Sequence, residues 1–221
     1  SEGHGKSVLE KFYKQLTPEQ LSSIKVVTGD GAKWITECVN GYTPDCARCV
    51  DAFHVVEWAM TALDEVRKDI WHDAYSEYKQ VKKETPRGKG RPKKSDPEAV
   101  VVKAAKAKAD EIKGSAYALG KAPEHLTERQ QFRLDLIASQ NPRLYRAYLL
   151  KEQLRLLLKL TNADEAGAEL KRWLWKASHS RIPAFKELYL KIKRHKTHIL
   201  NTIRYGMSNA RIEATNNKIK L

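Results

Sequence analysis

The sequence predicts an α/β unit of parallel strands that gives way to a predominantly helical remainder. Two observations carry this reading. The first 50 residues alternate between helical and β-branched apolar patterns, and from residue 54 onward only helical spacing recurs. A helix between two short strands implies a right-handed crossover and hence parallel pairing.

Each element follows from its residues. Leu9, Phe12, Tyr13 and Leu16 fall at helical spacing over 6–16, and Thr17-Pro18 ends that helix. Ile24 to Thr28 is short, β-branched and bounded by Gly29, which predicts a strand. Residues 32–40 predict a helix with Trp34, Ile35, Cys38 and Val39 inward, and Cys46 to Val50 a second strand. Two strands do not make a stable sheet alone, so further strands are expected ahead of Ser1. Residues 54–83 carry Val55, Trp58, Ala59, Ala62, Leu63, Val66, Ile70, Ala74 and Tyr78 on one helical stripe. Residues 84–97 hold three prolines and two glycines in a basic run, which predicts a mobile loop. Helices are expected over 98–118, 127–139 (with a Thr127–Gln130 capping box), 143–160 (opened by Pro142) and 163–178. The last long one, 183–204, would bury Phe185, Leu188, Tyr189, Ile192, Ile199 and Ile203 and stop at Gly206, after which Ser208 can cap a final helix.

Composition narrows the partners. The net charge is +14 over 221 residues. Its location is informative: 79–94 holds eight bases against Glu84, a net of +7, and 186–220 holds nine bases against Glu187 and Glu213, again +7. Two local basic segments suit a polyanion; solvated helix faces and a soluble loop are the plainer alternative. No run is long and apolar enough for a membrane helix, and no signal peptide opens the chain, so the cytoplasm is the expected compartment. The chain opens on Ser1 and closes within a helical pattern, which predicts a piece of a longer protein. Cys38, Cys46 and Cys49 are odd in number and offer only half of a zinc-site spacing; small core residues are the better reading.

Three acids stand out. Asp30 directly follows a strand, between Gly29 and Gly31, where open α/β sheets collect ligands; an ordinary Asp-Gly turn would look the same. Asp51 follows the next strand, with His54 three residues on, and can equally cap the long helix. His54 could orient Asp51, contact DNA phosphate, or be structural. Glu213 shares a helical face with Asn209, Asn216, Asn217 and Lys220, an unusual polar stripe for a plain surface helix; an exposed, frayed C-terminus is the plainer alternative. Arg211, Lys218 and Lys220 are candidates for phosphate contact.

Five segments together then resemble a known family. Asp51-Ala-Phe-His-Val-Val, Ala62 to Trp71, Tyr117 to Thr127, Asn141 to Glu152 and Ser208 to Lys220 look like the DDE transposase domain of the ISL3 group of insertion sequences, in family order and over essentially the whole chain. The resemblance implies an α/β fold: a partial RNase H-like core holding two of its parallel strands plus flanking helices, with a large all-α insertion. The expected organisation is 1–57 as partial core, 58–205 as helical insertion with the basic loop 84–97, and 206–221 as the core helix carrying the third acid. It implies metal-dependent cleavage and strand transfer of double-stranded DNA at insertion-sequence ends, by a self-associating, nucleoid-associated bacterial protein. Asp30 matches the second catalytic acid and Glu213 the third, both binding Mg2+ or Mn2+ in a two-metal site. Asp51 and His54 match a supporting DxxH element, with Asn209 and Asn217 beside Glu213. The first aspartate has no counterpart here, nor does the family's N-terminal DNA-binding region, so this piece alone is expected to be inactive.

Such chemistry explains the residue types. In-line displacement at phosphorus is served by hard divalent cations, and these prefer carboxylate oxygens. Lys82, Lys83, Arg87, Lys89, Arg91, Lys93 and Lys94 are the expected nucleic-acid contacts of the loop. Pro86 to Lys94 resembles the Arg-Gly-Arg-Pro core of AT-hook peptides with an extra Lys-Gly inserted. A DNA-binding module without catalysis and a basic helical RNA-binding protein are the rival readings; the second gives no reason for acids at strand ends.

Overall fold

The computed structural model describes residues 5–85 and 96–207. Two strands and eleven α-helices occur among them: α1 (Lys6–Lys14), α2 (Pro18–Ser23), β1 (Val26–Gly29), α3 (Lys33–Tyr42), β2 (Ala47–Val50), α4 (Ala52–Glu84), α5 (Pro97–Gly114), α6 (Ala116–Gly120), α7 (Glu128–Gln140), α8 (Pro142–Leu157), α9 (Ala163–Ser178), α10 (Pro183–Arg194) and α11 (Lys196–Arg204). The strands pair in parallel, Val26 with Ala47 through Gly29 with Val50, as the intervening helix requires. The fold is thus predominantly helical with a small parallel sheet.

The chain divides into two compact units. The first comprises residues 1–59, 153–179 and 187–221. Its sheet is covered by α11, where Ile199, Thr202 and Ile203 are buried, and α11 packs on α9. On α1, Tyr13 is buried and stacks on Tyr42 of α3, ring centroids 5.1 Å apart. That pairing sets the helix rotation and leaves Phe12 half exposed. The second unit comprises 60–152 and 180–186. Its core includes Leu63, Val66, Ala109, Ile112, Leu119, Ile137, Leu144 and Phe185.

Several boundaries differ from expectation for local reasons. Thr17-Pro18 ends α1 but also starts α2, because Thr17 and Gln20 form a reciprocal capping box. Residues 98–118 break at Ser115, which leaves the helix seam as the C-cap of α5. Residues 183–204 bend at His195, whose backbone (φ −96°, ψ 10°) departs from helical values. Cys46 lies just ahead of β2, with its Sγ 3.3 Å from Thr43 Oγ1. The Thr127 box, Pro142 and Pro183 at helix starts, and the positive φ of Gly206 (59°) follow the sequence signals.

Candidate active site

The parallel register brings two acids to the same end of the sheet. Gly29 pairs with Val50, so Asp30 and Asp51 are the next residues of adjacent strands, and the Asp51 N–H donates to the Gly29 carbonyl at 2.9 Å. Asp30 is exposed. Its Oδ1 accepts from the Ala32 N–H at 2.8 Å, closing the turn that enters α3, while its other oxygen has no hydrogen bond to a described residue. The turn and the exposed carboxylate therefore coexist. Asp51 begins α4: its Oδ1 accepts from the Phe53 N–H at 2.9 Å and its carbonyl from the Val55 N–H at 3.3 Å. The Nδ1 of His54 lies 3.0 Å from Glu57 Oε2, so its described partner is the glutamate one turn on, not Asp51.

The Gly-Asp-Gly sequence is set by what covers it. A Cβ at Gly31 would lie 2.6 Å from the Trp58 indole and 3.3 Å from His195 Nε2. A Cβ at Gly29 would lie 3.2 Å from Ile35 Cδ1 and 3.7 Å from the Arg48 guanidinium. At Gly31 a side chain would require the ring or the turn to move, whereas at Gly29 the end of Ile35 would have to give by only a few tenths of an ångström.

A cationic and aromatic group lies beneath the turn. Arg48, on β2, is 4% exposed; its guanidinium donates to the carbonyls of Asp30 and Cys49. Burial lowers its pKa and the Asp30 charge works against that. Trp58 and His195 rings are 5.4 Å apart, His195 and His198 5.8 Å, and the Lys191 ammonium sits 4.1 Å above the Trp58 ring. Burial depresses the pKa of both histidines; His198, Arg194, Arg48 and Lys191 add to this for His195, and Arg48 for His198. Nδ1 of each histidine and Nε of Arg48 are buried with no hydrogen-bond partner among the described residues. From α11, Asn201 Nδ2 donates to the Arg48 carbonyl at 3.1 Å and Thr202 Oγ1 to the Val50 carbonyl at 2.6 Å, satisfying β2. Cys49 is fully buried and its thiol is pushed up to about 11 by burial, which makes it an inert core residue.

Arg48, His195, Asn201 and Thr202 were not singled out from sequence, and Trp58 was read only as part of the apolar stripe of residues 54–83. An arginine inside a short strand, and His195 at helical spacing between Ile192 and Ile199, are the signals that point to two of them. Lys82 and Lys83 are exposed at the end of α4, Lys82 lying 5.9 Å over the Tyr78 ring. Arg87, Lys89, Arg91, Lys93, Lys94, Asn209, Arg211, Glu213, Asn217, Lys218 and Lys220 lie outside the described residues, as does the expected core helix from residue 208 onward. Among the described residues no three His, Cys, Asp or Glu side chains gather as a metal site, and no helix is long and apolar enough to cross a membrane.

Comparison with known proteins gives the class directly. Residues 1–221 match a family described as transposase, of the ISL3 group. The transposase for insertion sequence element IS1557 of Mycobacterium tuberculosis (strains CDC 1551 / Oshkosh and ATCC 25618 / H37Rv) is 42% identical over 220 residues, covering 99% of this chain and 48% of the relative. The transposase for IS1001 of Bordetella parapertussis is 23% identical over 220 residues, covering 99% of this chain and 47% of the relative. The chain belongs to the ISL3 family of transposases. It spans about half the length of the curated relatives it matches. No solved structure matches it.

Proposed function

We propose that this chain forms part of the catalytic domain of a DDE-type DNA transposase that cleaves and joins phosphodiesters at insertion-sequence ends. One observation carries the reading in a chain of this family: an exposed carboxylate, Asp30, at the carboxyl end of a strand paired in parallel with a second strand that also ends in an acid, Asp51. The strands and the helices on them are read as part of an RNase H-like core, interrupted by a helical insertion over 58–205 and resumed at 206–221.

Asp30 and Glu213 are the proposed metal ligands. Asp30 fits the role: a carboxylate oxygen suits a hard cation, and one of its two oxygens is free of described hydrogen bonds while the other is fixed by Ala32. Bound Mg2+ or Mn2+ would supply charge neutralisation and activation of the attacking oxygen. The chain's own contribution is placement. Ala32 N–H orients the Asp30 carboxylate, Gly31 lets the turn seat against Trp58, and Asp51 anchors α4 beside it. Asp51, His54, Asn209 and Asn217 are read as supporting residues. Lys82, Lys83, Arg87, Lys89, Arg91, Lys93, Lys94, Arg211, Lys218 and Lys220 are read as contacts to the phosphates of double-stranded DNA, which fix position without reading sequence. Self-association on DNA and a bacterial cytoplasmic, nucleoid-associated location belong to the same reading.

The test is strand transfer by the full-length protein with Mg2+ and DNA carrying the inverted-repeat ends. Glu213→Gln and Asp30→Asn keep shape and remove charge, and each is expected to abolish product while DNA binding persists. Transfer at the parental rate by either variant would remove that residue from the site. Parental rates in both would favour a DNA-binding module without catalysis at these positions.

A further inference from the structure

Arg48 is a costly group to bury in the first unit. A guanidinium is almost never fully buried unless paired, yet Arg48 is 4% exposed and no carboxylate lies within ion-pair distance among the described residues. Its neighbours on β2, Cys49 and Val50, are apolar and fully buried, so an apolar side chain would satisfy the core without the desolvation cost.

What the guanidinium does instead is bridge. Nη1 donates to the Cys49 carbonyl and Nη2 to the Asp30 carbonyl, so one planar fork ties the end of β2 to the residue that follows β1. Lysine would offer a compact point charge on a flexible stem in place of a rigid planar fork set to the two carbonyls. The fork packs against Gly29, a Cβ there meeting Nη2 at 3.7 Å and Nη1 at 3.8 Å, ordinary van der Waals contact. The strand carrying the arginine is itself held by Asn201, which donates to the Arg48 carbonyl at 3.1 Å. Asp30 is therefore gripped at two points: its carbonyl by Arg48 and its carboxylate by the Ala32 N–H.

We propose that Arg48 is a positioning residue for the reaction: it fixes the backbone of Asp30 so that the carboxylate stays directed outward. This rests on the assignment of Asp30 as a metal ligand. Groups that orient a metal-binding carboxylate commonly change affinity by about 10–100-fold when removed.

The experiment compares Arg48→Met, Arg48→Lys and Asp30→Asn with the parent in the full-length protein. Three quantities are read: Mn2+ binding by electron paramagnetic resonance without DNA, affinity for end DNA without metal, and the Mn2+ dependence of strand cleavage. Both Arg48 variants are expected to bind Mn2+ roughly tenfold or more weakly, with DNA affinity unchanged and cleavage partly restored by excess Mn2+. A purely structural role would not shift metal affinity selectively. Should Arg48→Met fail to fold, Arg48→Lys, which keeps the charge but not the fork, decides in the same terms. Parental Mn2+ binding in the folded Arg48 variants, with Asp30→Asn inactive, overturns the role of Arg48 alone. Parental cleavage by Asp30→Asn overturns the assignment of the site beneath it.

Discussion

The hydroxyl of Thr202 donates to the carbonyl of Val50 at 2.6 Å, joining two positions 152 residues apart. Both residues are buried, so this bond satisfies a strand carbonyl that water cannot reach. Thr202→Val keeps the shape and removes the donor, leaving that carbonyl bare. We expect a loss of about 1–3 kcal/mol in unfolding free energy, with Thr202→Ser close to the parent. Urea denaturation followed by tryptophan fluorescence measures it, and equal midpoints for the valine variant and the parent would refute the bond's contribution.

Gly31 presses against Trp58. An added methyl would stand 2.6 Å from the indole, inside van der Waals contact, so Gly31→Ala must displace the ring or the turn. The expected cost is about 1–3 kcal/mol, typical of overpacking. Combining it with Trp58→Leu should recover part of that loss, because the two changes share one space. A strictly additive double variant would show that the ring moves freely.

His195 and His198 both have pKa values held below the ordinary 6.5, first by burial. The sign follows from linkage. A base whose folded pKa is depressed binds its proton more readily when unfolded, so its stability contribution is complete above 6.5 and is lost as pH falls from there toward the folded value. The melting temperature should therefore drop on the acid side of 6.5. Replacing His195 with glutamine should flatten that drop in a thermal scan between pH 5 and 8. An equally steep profile in the variant would remove His195 as a source.

The basic segment 79–94 gives a prediction about DNA. Neutralising Lys79, Lys82, Lys83, Arg87, Lys89, Arg91, Lys93 and Lys94 should flatten the dependence of log K on log salt, by up to about 0.9 for each phosphate that the protein no longer neutralises. Fluorescence anisotropy with duplex DNA across a salt series measures the slope. An unchanged slope would exclude the segment from the interface.

Much of the architecture was legible from periodicity and punctuation. The strand–helix–strand alternation, the parallel pairing it implies, and the long stripe from Val55 to Tyr78 all reappear, because burial of an amphipathic face is a local pattern with one answer. The helix break at His195 was not legible, since no proline or glycine stands beside it; the one at Ser115 follows Gly114, which a helix interior can also tolerate. At the candidate site the two acids could be read from their places directly after the strands, Asp30 also from its flanking glycines. The partners of that turn could not: Arg48, Trp58 and His195 come from three elements, and no spacing rule connects residue 31 to residue 195. Asp51 had two readings, and its helix-starting hydrogen bond to Phe53 is one of them, made visible only by geometry.

The tie between Val50 and Thr202 also sets a schedule for biogenesis. At ribosomal rates of about 5–20 residues per second, the 152-residue interval takes roughly 8–30 s to emerge. Through that time β2 has neither the Thr202 hydroxyl nor the Asn201 amide for its carbonyls, and a nascent chain stopped before α11 would present bare strand polar groups to other chains. Completion of the sheet end that bears Asp30 is thereby deferred until nearly all of these residues have been made.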